Sequence, residues 1–141
     1  MKNNAFLLAL LSACIWGMAP IFEKVGLNGR IDPYLGVVIR TIPIALIGLT
    51  GLILMGRIDS LFQIDIKSAA FVVIGGLIAG FAGQIVFYAA LKSGEASVVV
   101  PVAATYPLVA LIISVLFLGE AVTWQKIAGI GMVVGGVMLL K

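Results

Sequence analysis

GQIVFYAALKSGEASVVVPVAATYPLVALIISVLFLGE, residues 83–120, is the stretch on which the fold turns. Two apolar runs flank a short polar hinge at residues 92–97, and the second run carries Pro101 and Pro107. Inside a soluble core helix each proline deletes a backbone hydrogen bond and clashes with the preceding turn. In a bilayer, neighbouring helices and a local kink re-satisfy the freed carbonyls. The stretch therefore reads as a transmembrane hairpin whose second arm bends near the bilayer middle, with Pro101 and Pro107 as kink or gating positions.

Composition extends this reading to the whole chain. Of 141 residues, 62% are hydrophobic and 11% are charged, with mean hydropathy +1.25. A soluble domain carries roughly 25% charged residues, so the chain reads as an integral membrane protein. Its apolar runs are long and continuous, which favours helices over a barrel, whose strands alternate and span only about ten residues. The expected fold is an all-α bundle of about five transmembrane helices, near residues 4–26, 33–55, 67–91, 97–118 and 123–140. They form one domain over residues 1–141, with no room for a separate soluble part. The connection at 56–66 alternates polar and apolar residues and suits the membrane interface.

The same composition removes several function classes. There is no histidine, the commonest proton shuttle and metal ligand. Cys14 is the single cysteine, so no disulfide framework exists. The positive charges are scattered, which argues against nucleic acid. Without histidine, a mid-span acid pair or a serine beside a base, an intramembrane enzyme has nothing to work with. No metal and no cofactor are expected. The run Leu11-Ser12-Ala13-Cys14 imitates a lipoprotein cleavage site, but the chain stays apolar from Ile15 to Phe22, which suits a continuing span better.

Five spans would put the termini on opposite sides. Lys2, Arg57, Lys67 and Lys126 then face Lys24, Arg30, Lys92 and Lys141 across the membrane. With the charges balanced, the positive-inside rule favours neither orientation. Either the N-terminal segment sets the orientation, or copies insert both ways and pair antiparallel. A five-span unit is half of the inverted-repeat design of many transporters, and a second copy could supply the other half.

Polar residues at membrane depth are the candidate site. Arg40 lies well inside the second span, where burial costs at least about 2.5 kcal/mol. It is either an anchor for an anionic or carbonyl group on a substrate or a structurally paired arginine. Glu23, at the end of the first span, is its natural partner and a candidate proton-coupling acid; the plainer reading is an interfacial charge beside Lys24. Trp16 shares a helical face with Ser12, Ala19 and Glu23. It is a packing residue or a stacking wall for substrate. Gly76, Gly80, Gln84, Tyr88 and Lys92 recur at steps of four, a band expected to wind around the helix. Gly76 with Gly80, and Gly131 with Gly135, are GxxxG patterns suited to helix packing. Gln84, Tyr88 and Tyr106 are polar groups that need partners in the membrane, by lining a cavity or bonding across helices. Glu95 and Glu120 each follow a glycine and read as structural acids near helix starts.

Trp16-Gly17, Lys24, Arg40, the segment from Gly83-Gln84 to Lys92-x-Gly94-Glu95-Ala96, Pro101-Val102-x-x-x-Tyr106-Pro107, Leu118-Gly119-Glu120 and a glycine-rich last span occur in this order. The pattern resembles the EamA-type fold of the drug/metabolite transporter superfamily over essentially the whole chain. Most such proteins look like two fused five-helix halves in inverted orientation, whereas this chain has one half, like the small single-domain bacterial and archaeal members. The resemblance implies alternating-access transport of small metabolites, often export. It carries no shared catalytic motif.

Together these observations point to a secondary transporter, in the exporting direction, of a small polar or amphiphilic metabolite. It would work as an antiparallel homodimer in the cytoplasmic (inner) membrane. The alternatives are a small multidrug-type cation exporter, which needs an acid deep in the first span, and a non-transporting scaffold built on the GxxxG faces.

Overall fold

A computed structural model describes residues 3–140, so Lys2 and Lys141 in the charge tally lie outside the described residues. Every regular element among the described residues is helical. The first two helices are α1 (Asn3–Leu27) and α2 (Pro33–Leu54), followed by a short 3-10 turn, Ile58–Gln63. Next comes a long helix in three parts: α3 (Ile66–Gly76), a π-helical segment (Leu77–Ala82) and α4 (Gly83–Ser93). Then come α5 (Ala96–Ala103), α6 (Tyr106–Leu118) and α7 (Trp124–Met138). Four helical stretches are long and apolar enough to cross a membrane: Asn4–Leu27, Pro33–Leu54, Ile66–Ser93 and Ala96–Leu118. The fifth expected span, residues 123–140, is longer than the helix found there. At 15 residues, α7 is below the roughly 20 that a bilayer crossing asks of an upright helix.

The chain forms two compact units, one ending at Ser93 and the other beginning at Gly94. In the first unit, α4 packs against both α1 and α2. Its core is small. Leu27, Val37, Tyr88 and Leu91 are the buried hydrophobic residues, while most large apolar side chains on α1, α2 and α3 point outward. In water such a surface would be untenable; against lipid tails it costs nothing, and close packing takes over as the force between helices.

Helix ends are fixed by local chemistry. Asp32 caps α2, its carboxylate accepting from the Leu35 N–H at 3.0 Å. Pro33 opens the helix where its missing N–H is harmless. Asp65 caps α3 through the Ser68 N–H at 2.8 Å and the Ser68 hydroxyl at 2.9 Å. The bond from the Ser68 backbone favours the charged carboxylate and lowers the Asp65 pKa below its ordinary 3.8. That stabilisation is present above the ordinary value and is lost as pH falls through the lowered one.

The π-helical segment changes the reading of the third span. The Gly83 N–H closes it on the Ile78 carbonyl, five residues back. A Cβ on residue 83 would stand 3.0 Å from that carbonyl oxygen, which suits glycine there. A π turn takes up more residues than an α turn. Across it, a step of four falls short of a full turn instead of overshooting. The winding expected of the Gly76, Gly80, Gln84, Tyr88 and Lys92 band belongs to a uniform α-helix, and the wide turn partly undoes it.

In the second unit, the expected bend lies at Ala104 and Thr105, between α5 and α6. Pro101 sits inside α5 and Pro107 in the first turn of α6. Thr105 repairs the break: its hydroxyl donates to the Val102 carbonyl at 2.7 Å, and its carbonyl accepts from the Leu108 N–H at 3.0 Å. Gly119 ends α6 in the left-handed region at φ 63°. Glu120 precedes α7 by several residues and pairs with Lys126 at 3.2 Å, while Glu95 caps α5 without a side-chain bond.

The tightest helix approach in the first unit is at Gly36 on α2. A Cβ there would lie 2.9 Å from Tyr88 Cδ2 and 3.0 Å from Leu27 Cδ2. By contrast, an added Cβ at Gly76, Gly80, Gly131 or Gly135 would meet no atom of the described residues within 4 Å. Gly36→Ala is expected to cost about 1–3 kcal/mol through overpacking. Gly48→Ala on the same helix, where nothing lies within 4 Å, should not destabilise. Thermal unfolding of the two variants in detergent checks this.

Candidate functional site

Three helices bring their polar residues to one point, the Glu23 carboxylate. On α1, Glu23 stands one turn before the helix end. Tyr88 on α4 donates its hydroxyl proton to Glu23 Oε1 at 2.9 Å. One turn earlier on the same helix, Gln84 donates through Nε2 to the same oxygen at 3.3 Å. Arg40 on α2 places Nη1 3.6 Å from it. The first two are hydrogen bonds. The third is beyond the usual length of a directed N–H···O bond, so Arg40 holds Glu23 by charge. The Glu23 side chain is 17% exposed and that of Arg40 is 34% exposed.

The local sequence explains the convergence. Gln84 and Tyr88 are four residues apart on α4, downstream of the π-helical segment, and so share a face. Tyr88 is buried against α2, where Gly36 gives its ring room. Arg40 is one turn further along α2, again on that face. Counting 1.5 Å per residue from the span mid-points, Arg40 lies about 5 Å, Gln84 about 7 Å, Glu23 about 11 Å and Tyr88 about 13 Å from the middle. All four fall in the membrane half that carries the α1–α2 connection.

That end of the unit is closed by two lysines. Lys24 donates to the Leu91 carbonyl in the last turn of α4. Lys92 donates to the Ile31 carbonyl in the α1–α2 connection at 3.1 Å. Lysine near a helix C-terminus meets carbonyls that have no helical partner. In the same unit Tyr34 and Phe81 meet edge-to-face at 5.7 Å, linking α2 to the π-helical segment.

Of the residues expected at a site, Glu23, Arg40, Gln84 and Tyr88 are brought together. Trp16 is not: it is 67% exposed, two turns along α1 from Glu23. Tyr106, 61% exposed, opens α6 in the second unit. Sequence reasoning missed Gly36 and the clamping roles of Lys24 and Lys92. The signal for the lysines was their position in the last turns of α1 and α4. Gly36 left no signal, because it belongs to no GxxxG pattern. Among the described residues no group of acidic, cysteine or histidine side chains is placed to hold a metal.

The arrangement can neutralise a charge pair within the membrane, present a guanidinium to a polar ligand and carry a proton on a carboxylate. The profile of the EamA-like transporter family matches residues 3–141. An uncharacterized protein of Methanocaldococcus jannaschii is 28% identical over 139 residues, covering 99% of this chain and 97% of the relative. A Sinorhizobium protein named as an uncharacterized transporter in the cobO 3′ region is 30% identical over 132 residues, covering 94% of this chain and 92% of the relative. No solved structure matches significantly.

Tyr88→Phe should destabilise the first unit by about 1.5–3 kcal/mol, the range for losing a hydrogen bond to a charged group. Tyr34→Phe should cost far less, since it keeps the ring that stacks on Phe81. Thermal melts of both variants in detergent decide whether the Tyr88 hydroxyl holds Glu23.

Proposed function

Because the chain belongs to the EamA-like transporter family, we propose that it is a secondary transporter of a small polar or amphiphilic metabolite. It is a multi-pass membrane transporter of about half the size expected for a fused inverted repeat. In this reading it exports its substrate by alternating access, as an antiparallel homodimer in the cytoplasmic membrane, as one domain and without catalysis. Arg40 is the substrate anchor and Glu23 the coupling acid. Gln84 and Tyr88 line the site with them, and Trp16 and Tyr106 are further substrate-binding candidates, each within its own unit. Pro101 and Pro107 serve kinking or gating, and Gly76, Gly80, Gly131 and Gly135 serve helix packing.

The observation that carries the reading is the convergence of Arg40, Gln84 and Tyr88 on one carboxylate at membrane depth. Ionisable residues there are costly and mark ion or substrate pathways. A site that holds an acid and a base in balance can exchange either partner for a ligand or a proton. On a five-span count the lysines and arginines balance, which supports dual insertion, and a chain of half the fused length supports a second copy. The small multidrug-type alternative asks for an acid open to a cation, and the pairing of Glu23 with Arg40 counts against it.

Two outcomes are expected. Arg40→Ala should abolish solute uptake into proteoliposomes while crosslinked dimer persists on gels; equal loss of both would make Arg40 structural. A reporter active only in the cytoplasm and one active only outside, each fused after Lys141, should both give signal. Signal from one alone removes the antiparallel homodimer.

A further inference from the structure

We infer that the ligand of this site is a small water-soluble carboxylate that takes Arg40 from Glu23, and that Glu23 takes up a proton as it does so. The inference rests on the transporter reading above and names its substrate class and coupling.

The contacts on Glu23 are unequal. Tyr88 and Gln84, both neutral and both on α4, hold it by hydrogen bonds of 2.9 and 3.3 Å. Arg40, on α2, reaches it only across 3.6 Å. A guanidinium carries five N–H groups in a fixed fork that fits a carboxylate through two parallel bonds. Glu23 gives Arg40 no such fit: their contact is a single Nη1–Oε1 approach of 3.6 Å, on an oxygen that also accepts from Tyr88 and Gln84. A third of the Arg40 side chain remains uncovered. A free carboxylate can therefore give Arg40 two directed bonds where Glu23 gives a longer charge contact.

The surrounding charge favours an anion. Around the cluster, α1 contributes Glu23 and Lys24, α2 contributes Arg40, and α4 contributes Tyr88 and Lys92. The α1–α2 connection adds Arg30 and Asp32, and Glu95 follows just past the unit in sequence. Cations outnumber acids at that end, so an approaching anion meets attraction.

The swap forces the proton step. When a ligand carboxylate occupies Arg40, two carboxylates face one guanidinium in a medium of low dielectric, and like charges held close cannot both stay ionised. Glu23 keeps its bonds from Tyr88 and Gln84 and binds one proton taken from water, leaving the site neutral overall. One anion and one proton then occupy the site together.

The experiment uses purified full-length protein in weak buffer with a pH indicator, and benzoate, acetate and pyruvate as probes. Benzamide and tetraphenylphosphonium are the neutral and cationic comparisons. The expected result is uptake of about one proton per bound carboxylate, with binding that tightens as pH falls and none with benzamide. Glu23→Gln should keep carboxylate binding but lose both the proton uptake and the pH dependence. Arg40→Gln should lose binding, and a circular-dichroism melt near that of the parent shows that the loss is local. Equal results in detergent and in liposomes of zwitterionic lipid separate a soluble carboxylate from an anionic lipid.

Binding of none of the three carboxylates overturns the inference. So does binding that is indifferent to Glu23→Gln in its pH dependence. If tetraphenylphosphonium or benzamide is moved across proteoliposomes while the carboxylates do not bind, the inference falls and the transporter reading stands. If the carboxylates bind with proton uptake but no solute crosses, the inference stands and the transporter reading falls.

Discussion

A carboxylate and a guanidinium inside a bilayer have to find each other, because neither can be left alone in a medium that solvates charge so poorly. In the first unit that requirement selects the arrangement of helices. Glu23 near the end of α1 and Arg40 in the second turn of α2 are the two charges. The helix that contacts both of their parent helices, α4, supplies two further hydrogen bonds. Tyr88 belongs to the apolar core by its ring and to the polar cluster by its hydroxyl. Gly36 lets the ring lie close against α2. Helix packing and the polar cluster thus meet in one side chain, the ring serving the first and the hydroxyl the second.

Lipid as the outer solvent accounts for the rest of the unit. A handful of buried apolar residues would not hold a soluble domain of this length together. Here the apolar exterior needs no cover, and the lysines at the helix ends add directed bonds to carbonyls, Lys24 to Leu91 and Lys92 to Ile31. These ends lie where the chain leaves the hydrocarbon and can tolerate a charged head.

Much of this was readable from residue type and position. Polar side chains in apolar runs are few, so Glu23, Arg40, Gln84 and Tyr88 stand out, and the meeting of Glu23 with Arg40 follows from their depths on antiparallel neighbours. The break before Pro107 follows from a ring that cannot donate. What escaped was whatever depends on exact phase or close approach. The π-helical segment has no compositional mark beyond its glycines, yet it sets which way Gln84 and Tyr88 point. Gly36 matters only because Tyr88 happens to lie above it. Trp16 shares a face with Glu23 on paper, but the neighbours that bury Glu23 do not extend two turns back to cover it. The shortness of α7 is hidden in an apolar run that continues past the helix.

The π-helical segment divides the third span into two lengths with separate rotational settings. The part before it, α3, carries no member of the polar cluster, while the part after it, α4, carries two. The wide turn therefore offsets the facing of α4 from the one that a uniform α-helix continuing α3 would give it. The span is thus two lengths joined at an offset, the upstream one turned outward and the downstream one held to the bearing of the polar cluster.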